Sequence, residues 1–130
     1  KTDRKLPVGN ERILLVDDEE MLVSMTNDFL TNLGYSVLFF TESSKAIEAF
    51  SSDPYGFDLV ISDMTMPVIT GDKLASEILA IRPDTPIILT TGYTEQVTET
   101  EALELGIKRF VMKPVSLSRL AVTMREVLGG

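Results

Sequence analysis

Residues 58–67 read DLVISDMTMP, and this stretch decides the fold. Its apolar part, Leu59–Ile61, is continuous rather than alternating, which is typical of a parallel strand covered on both faces. An acidic residue, Asp63, follows soon after the apolar residues end. Five short runs of this kind, rich in Val, Ile, Leu and Phe, are predicted to be strands: Arg12–Asp17, Tyr35–Phe40, Asp58–Ser62, Pro86–Thr90 and Arg109–Met112.

The segments between these runs carry apolar residues at helical spacing. Leu22 and Met25 belong to the predicted apolar stripe of the first helix, and Gly34 is expected to end that helix as a C-cap residue. Ser43 or Ser44 is the expected cap of the second helix. The predicted helices are Glu19–Leu33, Ser43 or Ser44 to about Phe50, Gly71–Ile81, Glu95–Leu105, and Leu117–Leu128 with Ser116 as its cap.

Strict alternation of strands and helices predicts a doubly wound α/β fold, in which right-handed crossovers join five parallel strands. The chain has 130 residues, which fits one domain. We expect this domain to span residues 11–128, with residues 1–10 and 129–130 as linker ends. Because the sequence does not begin with Met, we expect it to be a fragment of a longer chain.

Composition excludes several classes of function. The chain has no Cys and no His, which excludes thiolate nucleophiles, zinc–thiolate sites and His-dependent triads. The net charge is −8 and no cluster of Lys and Arg is visible, so nucleic-acid binding by this chain alone is not expected. Residues 1–10 are polar and of mixed charge, so they are not expected to be a signal peptide, and no apolar run approaches the ~20 residues that span a membrane. We therefore expect a cytoplasmic protein without membrane contact.

Polar residues follow four of the five predicted strands. The first ends in Asp17-Asp18, the third in Asp63, the fourth in Thr90-Thr91 and the fifth in Lys113-Pro114. The carboxyl ends of parallel strands meet at one edge of a sheet, and ligands of open α/β sheets bind at that edge. These side chains are therefore expected to lie together.

Each of these residues alone has an ordinary interpretation, such as a turn or N-cap for an Asp and a solvated surface position for Lys113. Together they predict specific chemistry. Three crowded carboxylates repel one another unless a cation binds among them, and oxygen ligands without His or Cys favour Mg²⁺. Lys113 supplies a positive charge and Thr91 a hydroxyl donor. Such a group around one carboxylate suits phosphoryl transfer to that carboxylate.

The same residues resemble the motifs of response-regulator receiver domains, which act in two-component signalling. The resemblance rests on Asp17-Asp18, on DMTMP at 63–67 with Gly71 following, on Thr91-Gly92 and on Lys113-Pro114. It covers about Glu11 to Leu128. The segment around Asp63 is similar to that of receivers in hybrid sensor histidine kinases.

The resemblance implies a flavodoxin-like receiver fold with strand order 2-1-3-4-5 and five helices. It also implies that Asp63 is the phosphoacceptor. Mg²⁺ would be the cofactor, bound through the carboxylates of Asp18 and Asp63, through the backbone carbonyl of Thr65, and by Asp17 largely through a bound water.

The resemblance further implies that Lys113 contacts the phosphoryl group and that the Lys113–Pro114 bond is cis. Thr91 and Phe110 would form the conformational switch. The expected partner is a histidine kinase or a histidine phosphotransfer domain. A homodimer through the helix Glu95–Leu105, the strand Arg109–Met112 and the helix Leu117–Leu128 is also expected. The domain would not be an enzyme, although it would assist its own phosphorylation and dephosphorylation.

Two other functions are alternatives to this one, and the sequence argues against both. A phosphohydrolase with Asp63 as nucleophile typically carries an acid two residues later, and Thr65 occupies that position. A flavodoxin-like cofactor binder needs a phosphate-binding loop after the first strand. The acidic residues 17–20 would repel phosphate there.

Overall fold

The computed structural model describes residues 6–92, 104 and 106–129. The predicted helix Glu95–Leu105 lies outside this part of the chain, apart from Glu104. The described elements are β1 (Arg12–Val16), α1 (Glu20–Asn32), β2 (Ser36–Phe40), α2 (Ser43–Ser52), a 3₁₀ turn (Pro54–Gly56), β3 (Leu59–Asp63), α3 (Gly71–Ile81), β4 (Ile87–Thr91), β5 (Arg109–Met112) and α4 (Leu117–Leu128). Within these residues, no helix has the length and apolarity to cross a bilayer.

The five strands form one sheet in the order β2-β1-β3-β4-β5, and every pair is parallel. The predicted fold and strand order are therefore confirmed. The register places Asp63 opposite Thr90 across β3 and β4, and Thr91 opposite Met112 across β4 and β5. These pairings fix which side chains meet at the carboxyl edge of the sheet.

The core has two layers because successive residues of a strand point to opposite faces. Leu14 and Val16 of β1 pack in the layer that includes residues of α2 and α3, whereas Ile13 and Leu15 pack in the layer that includes residues of α1 and α4. Every residue of β3 and β4 is buried. Burial on both faces explains why these strands read as continuous apolar runs.

Two of the predicted helix ends are confirmed and one is wrong. Gly34 has a φ of 108°, which glycine adopts without strain, and the Ser116 side chain accepts a hydrogen bond from the backbone N–H of Arg119 at 3.3 Å. Neither Ser43 nor Ser44 is the N-cap of α2, since that position belongs to Glu42. Ser43 lies inside the helix, where its buried hydroxyl donates to the backbone carbonyl of Ile69 at 2.9 Å.

The predicted apolar stripe of α1 is also partly wrong. Val23 and Leu30 are the buried residues of this helix, while Leu22 is 43% exposed and Met25 55% exposed. Successive helical residues are about 100° apart, so a helix that turns Val23 towards the sheet turns Leu22 to one side. Leu22 and Met25 consequently border the surface near the acidic residues.

A cluster around Arg125 joins the two ends of the described chain. Its guanidinium donates to the backbone carbonyls of Val8 at 3.0 Å and Gly129 at 3.3 Å, and forms an ion pair with Glu11. The backbone N–H of Gly9 donates to the carbonyl of Leu33 at 3.1 Å. Residues 8–11 are thus held against α1 and α4.

Candidate functional site

The structure brings three carboxylates together at the carboxyl edge of the sheet. Asp17 and Asp18 follow β1, and Asp63 ends β3. One oxygen of each lies within 4.8 Å of an oxygen of both others. Asp63 is buried, with 3% of its surface exposed, whereas Asp18 is open to solvent. The cluster therefore has a buried inner carboxylate and an accessible outer one.

This grouping is electrostatically costly for Asp17. Burial, together with the negative charges of Asp63 and Asp18, raises the pKa of Asp17 from 3.8 to about 6. The shift persists although the backbone N–H of Glu19 donates to Asp17 at 2.9 Å and Lys113 is nearby. Oxygen donors with uncompensated negative charge match what a divalent cation such as Mg²⁺ requires. The residues present therefore fit that ion.

Lys113 forms a close ion pair with Asp63. Its Nζ lies 2.6 Å from Oδ1 of the buried carboxylate. The backbone places it there, because the N–H of Lys113 donates to the carbonyl of Thr91 at 2.7 Å, and the Lys113–Pro114 bond is cis, as the resemblance implied. A buried carboxylate needs a cationic or hydrogen-bonding partner, and Lys113 provides one.

The two threonines at the end of β4 point in different directions. The Thr90 hydroxyl lies 3.4 Å from Oδ1 of Asp63, whereas the Thr91 hydroxyl lies 3.5 Å from Sδ of Met112. Thr91, the hydroxyl predicted for the site, is thus at the correct strand end but does not contact Asp63 in this conformation. Thr90 was missed. Strand alternation, with Thr90 opposite Asp63 in register, is the signal that could have identified it.

The loop after β3 brings α3 close to Asp63. The backbone N–H of Gly71 donates to the carbonyl of Met64 at 2.8 Å, and a side chain at this position would collide with the backbone carbonyl oxygen of Asp63. Thr65 lies in this loop and is exposed. Phe110 of β5 is half-buried against the core layer that contains Leu89. Glycine at position 71 thus permits the close approach of α3 to the end of β3.

A cavity of about 220 Å³ adjoins the acidic cluster. Leu22 and Met25 of α1 line one side, and Leu117 of α4 lines another. Asp63 and Lys113 are also among its lining residues. The exposed apolar residues of α1 are therefore continuous with the polar site.

The model of the response regulator receiver domain family matches residues 13–125. This chain belongs to that family. As a receiver domain of the two-component type, it is a signalling domain of the phosphoacceptor class. The similarity to hybrid-kinase receivers in particular stays a prediction.

Curated relatives differ in how much of their length the receiver spans. The chemotaxis protein CheY of Thermotoga maritima is 33% identical over 119 residues, which cover 90% of this chain and 97% of that protein. The C4-dicarboxylate transport transcriptional regulatory protein DctD of Rhizobium meliloti is 34% identical over 114 residues. This match covers 88% of this chain but only 24% of DctD. The chain therefore spans nearly all of one relative and about a quarter of the other.

Solved structures agree with the fold. A response regulator receiver domain protein from Clostridium thermocellum has a TM-score of 0.86 and 27% identity, covering 91% of this chain and 94% of that one. The receiver domain of a sensor histidine kinase from Pseudomonas aeruginosa PAO1 has a TM-score of 0.81 and 24% identity, covering 94% and 100%. That receiver was crystallised with a magnesium ion coordinated in its active site cleft.

Proposed function

We propose that this receiver accepts a phosphoryl group on Asp63 from the phosphohistidine of a histidine kinase or a histidine phosphotransfer domain. One observation carries the proposal: Asp63 is a buried carboxylate, in contact with Lys113 on one side and grouped with two further carboxylates. No other carboxylate of the acidic cluster is buried among the described residues.

Asp63 would act as the nucleophile. A carboxylate oxygen attacks phosphorus in line with the histidine nitrogen, the P–N bond breaks, and an acyl phosphate forms on Asp63. The ammonium group of Lys113, 2.6 Å from Oδ1, is placed to neutralise negative charge on the incoming group. Thr90 adds a second, weaker donor to the same oxygen.

Asp17, Asp18 and Asp63, with the backbone carbonyl of Thr65, would hold Mg²⁺. When bound, this ion would neutralise the carboxylates and the charge that develops on the phosphoryl oxygens. The raised pKa of Asp17 supports the assignment, because burial and the neighbouring carboxylates disfavour its negative charge, which a cation would stabilise. The magnesium in the Pseudomonas receiver is consistent with it.

Thr91 and Phe110 would report phosphorylation to a partner. Thr91 is 3% exposed and ends β4 beside Asp63, while Phe110 is half-buried on β5. The phosphoryl group adds roughly −1.5 to −2 charge, taking phosphoserine as a guide. This charge would attract the Thr91 hydroxyl and bias an existing conformational equilibrium. The homodimer predicted through the helix Glu95–Leu105, β5 and α4 would be one readout.

The donor would dock on α1. Leu22 and Met25 are exposed on this helix beside the acidic cluster, and Met21 is 81% exposed. Exposed apolar residues next to a reactive group indicate a protein-binding surface. Because histidine kinases and phosphotransfer domains present their histidine on a helix, helix-on-helix packing is the expected mode.

The deciding experiment is phosphorylation by acetyl phosphate in the presence of Mg²⁺, followed by mass spectrometry of the intact protein. One phosphoryl group should add to the wild type and none to Asp63→Asn. Asp84→Asn is the matched control, because Asp84 is a 78% exposed carboxylate paired only with Arg82 among the ion pairs of the described residues. The adduct should be labile to hydroxylamine. Undiminished labelling of Asp63→Asn, or a hydroxylamine-stable adduct on a threonine, would refute the proposal.

Mg²⁺ dependence is tested separately by thermal unfolding. Mg²⁺ should raise the melting temperature of the wild type by mass action and should raise that of Asp18→Ala much less. An equal gain in both proteins would show that Asp18 does not hold the ion. The same titration on Asp84→Asn should reproduce the wild-type gain.

A further inference from the structure

The hydroxyl of Thr91 has a specific partner on the face of the sheet away from Asp63. Thr91 and Met112 are direct partners in the β4–β5 register, and the Thr91 Oγ1 lies 3.5 Å from the Met112 Sδ. Thr91 is only 3% exposed, whereas Met112 is 46% exposed. The contact thus joins a buried hydroxyl to a methionine at the surface.

A buried hydroxyl is destabilised when it lacks a hydrogen-bond acceptor. The thioether sulfur supplies one for Thr91, although sulfur is a weak acceptor. The resulting hydrogen bond stabilises one side-chain conformation without making it permanent. Such a contact suits a residue that must later exchange its partner.

The partner exchange follows from strand geometry. Asp63 contacts the hydroxyl of Thr90, and adjacent residues of a strand point to opposite faces. Thr91 must therefore change its side-chain conformation, or move with its backbone, before its hydroxyl reaches a group attached to Asp63. Either movement breaks the contact with the Met112 sulfur.

We propose that Met112 is a positioning residue: its sulfur holds the Thr91 hydroxyl away from Asp63 until a phosphoryl group competes for that hydroxyl. The inference rests on the proposed role of Thr91 as the switch. It adds a residue that sets how readily the switch moves. Removing the sulfur should release the hydroxyl and favour the active conformation before phosphorylation.

The exposure of Met112 makes the inference testable, because substitution at a half-exposed site leaves no closed cavity in the core. Met112→Leu keeps the size of the side chain and removes the acceptor. Met112→Gln keeps an acceptor of similar reach in the form of an amide oxygen. Thr91→Val provides the background in which no hydroxyl remains to be held.

Two measurements decide the matter. The first is the χ1 rotamer of Thr91, from three-bond couplings in the protein without phosphoryl group or metal. The wild type and Met112→Gln should show one rotamer, and Met112→Leu should show averaging. The second is the apparent affinity for beryllofluoride with Mg²⁺. Met112→Leu should raise this affinity about two- to five-fold, as expected for loss of one weak hydrogen bond, and should have no effect in Thr91→Val.

An unchanged Thr91 rotamer in Met112→Leu would overturn the inference. So would an equal gain in affinity in the Thr91→Val background, since Met112 would then act through packing alone. A Met112→Gln protein that behaves like Met112→Leu would also overturn it. If the rotamers respond as expected but even the wild type binds no beryllofluoride, the contact is supported and the proposed function fails instead.

Discussion

Thr90 and Asp63 face each other across β4 and β3, and the Thr90 hydroxyl lies 3.4 Å from Oδ1 of the carboxylate. The same oxygen contacts the ammonium group of Lys113 at 2.6 Å. The two distances rank the donors, because hydrogen bonds between oxygens are normally 2.5 to 3.0 Å long. Lys113 therefore makes the stronger contact and Thr90 a supporting one.

Thr90→Val should slow phosphorylation by acetyl phosphate about two- to five-fold without preventing it, since one weak donor to the carboxylate is lost and the shape is kept. The initial rate of labelling is the measurement. Thr85→Val is the control, because its buried hydroxyl donates to the carbonyl of Arg82, away from the site. A rate reduced as much in Thr85→Val would assign the effect to packing.

Gly71→Ala should destabilise the fold by about 1 to 3 kcal/mol and slow phosphorylation as well. The new methyl group would meet backbone atoms of Asp63 and Met64, which cannot move without shifting the end of β3. Urea unfolding and the labelling rate measure the two effects. Gly56→Ala is the control, since the atoms nearest to its methyl group belong to the flexible side chain of Asp53. Similar losses in both variants would contradict the prediction.

Asp17→Asn should stabilise the metal-free protein at neutral pH. The folded-state pKa of Asp17, about 6, is above its ordinary value of 3.8. Protonated Asp17 therefore contributes its full stabilisation of the folded state below pH 3.8, and this stabilisation is lost as the pH rises through about 6. The Asn amide does not ionise, so the variant avoids this decrease in the free energy of unfolding, which we expect to be about 1 to 3 kcal/mol. Urea unfolding with EDTA over this pH range is the measurement.

The same experiment has an internal control. Mg²⁺ should stabilise the wild type more than Asp17→Asn at neutral pH, because the ion compensates a charge that the amide lacks. A metal-free wild type whose stability rises through this pH range relative to Asp17→Asn would show that the sign of the shift is wrong.

Arg125→Ala should cost about 1 to 3 kcal/mol at neutral pH, because it leaves Glu11 without its charged partner in a site where both side chains are mostly shielded from solvent. The hydrogen bond from Arg125 lowers the pKa of Glu11 below 4.5. This stabilisation is present above pH 4.5 and is lost as the pH falls. The stabilities of the wild type and Arg125→Ala should therefore become similar in acid. Chemical unfolding across this range tests it, and Arg119→Ala, exposed on the same helix, should change little.

Val68→Asn should stabilise the protein by about 0.5 to 1 kcal/mol. Val68 has a φ of 69° and is 98% exposed, so it gains no burial in return for a conformation that β-branched residues rarely adopt. Asn tolerates this conformation better. Thermal unfolding is the measurement. Val122→Asn should destabilise instead, because Val122 in α4 is only 44% exposed and the substitution loses its buried apolar surface.

The sequence predicted the sheet because its central strands β1, β3 and β4 are buried on both faces and therefore read as unbroken apolar runs. It predicted the site for a related reason, since the ends of parallel strands bring Asp17, Asp63 and Lys113 to one edge. No strand bound differs by more than one residue from the prediction; β3, for example, ends at Asp63 rather than Ser62.

The errors concern side-chain direction. Local sequence does not encode whether the Ser43 hydroxyl bonds to its own helix or to Ile69 across the loop. It does not encode which of Leu22 and Val23 turns towards the sheet, because α1 can rotate by one residue and keep an apolar stripe. Nor does local sequence encode that Thr90, rather than Thr91, faces Asp63 in this structure, because this depends on the register between two strands.

The Arg125 cluster has a consequence for how this receiver can be joined to other domains. The Arg125 guanidinium binds the backbone carbonyls of both Val8 and Gly129, so the two ends of the described chain lie together at one site. This shared site lies near the start of β1. The five extended residues of that strand separate it from the acidic edge of the sheet by about 16 Å. Domains attached at either end of such a receiver would extend from the edge of the sheet opposite the acidic cluster. The site around Asp63 would then stay open to a donor.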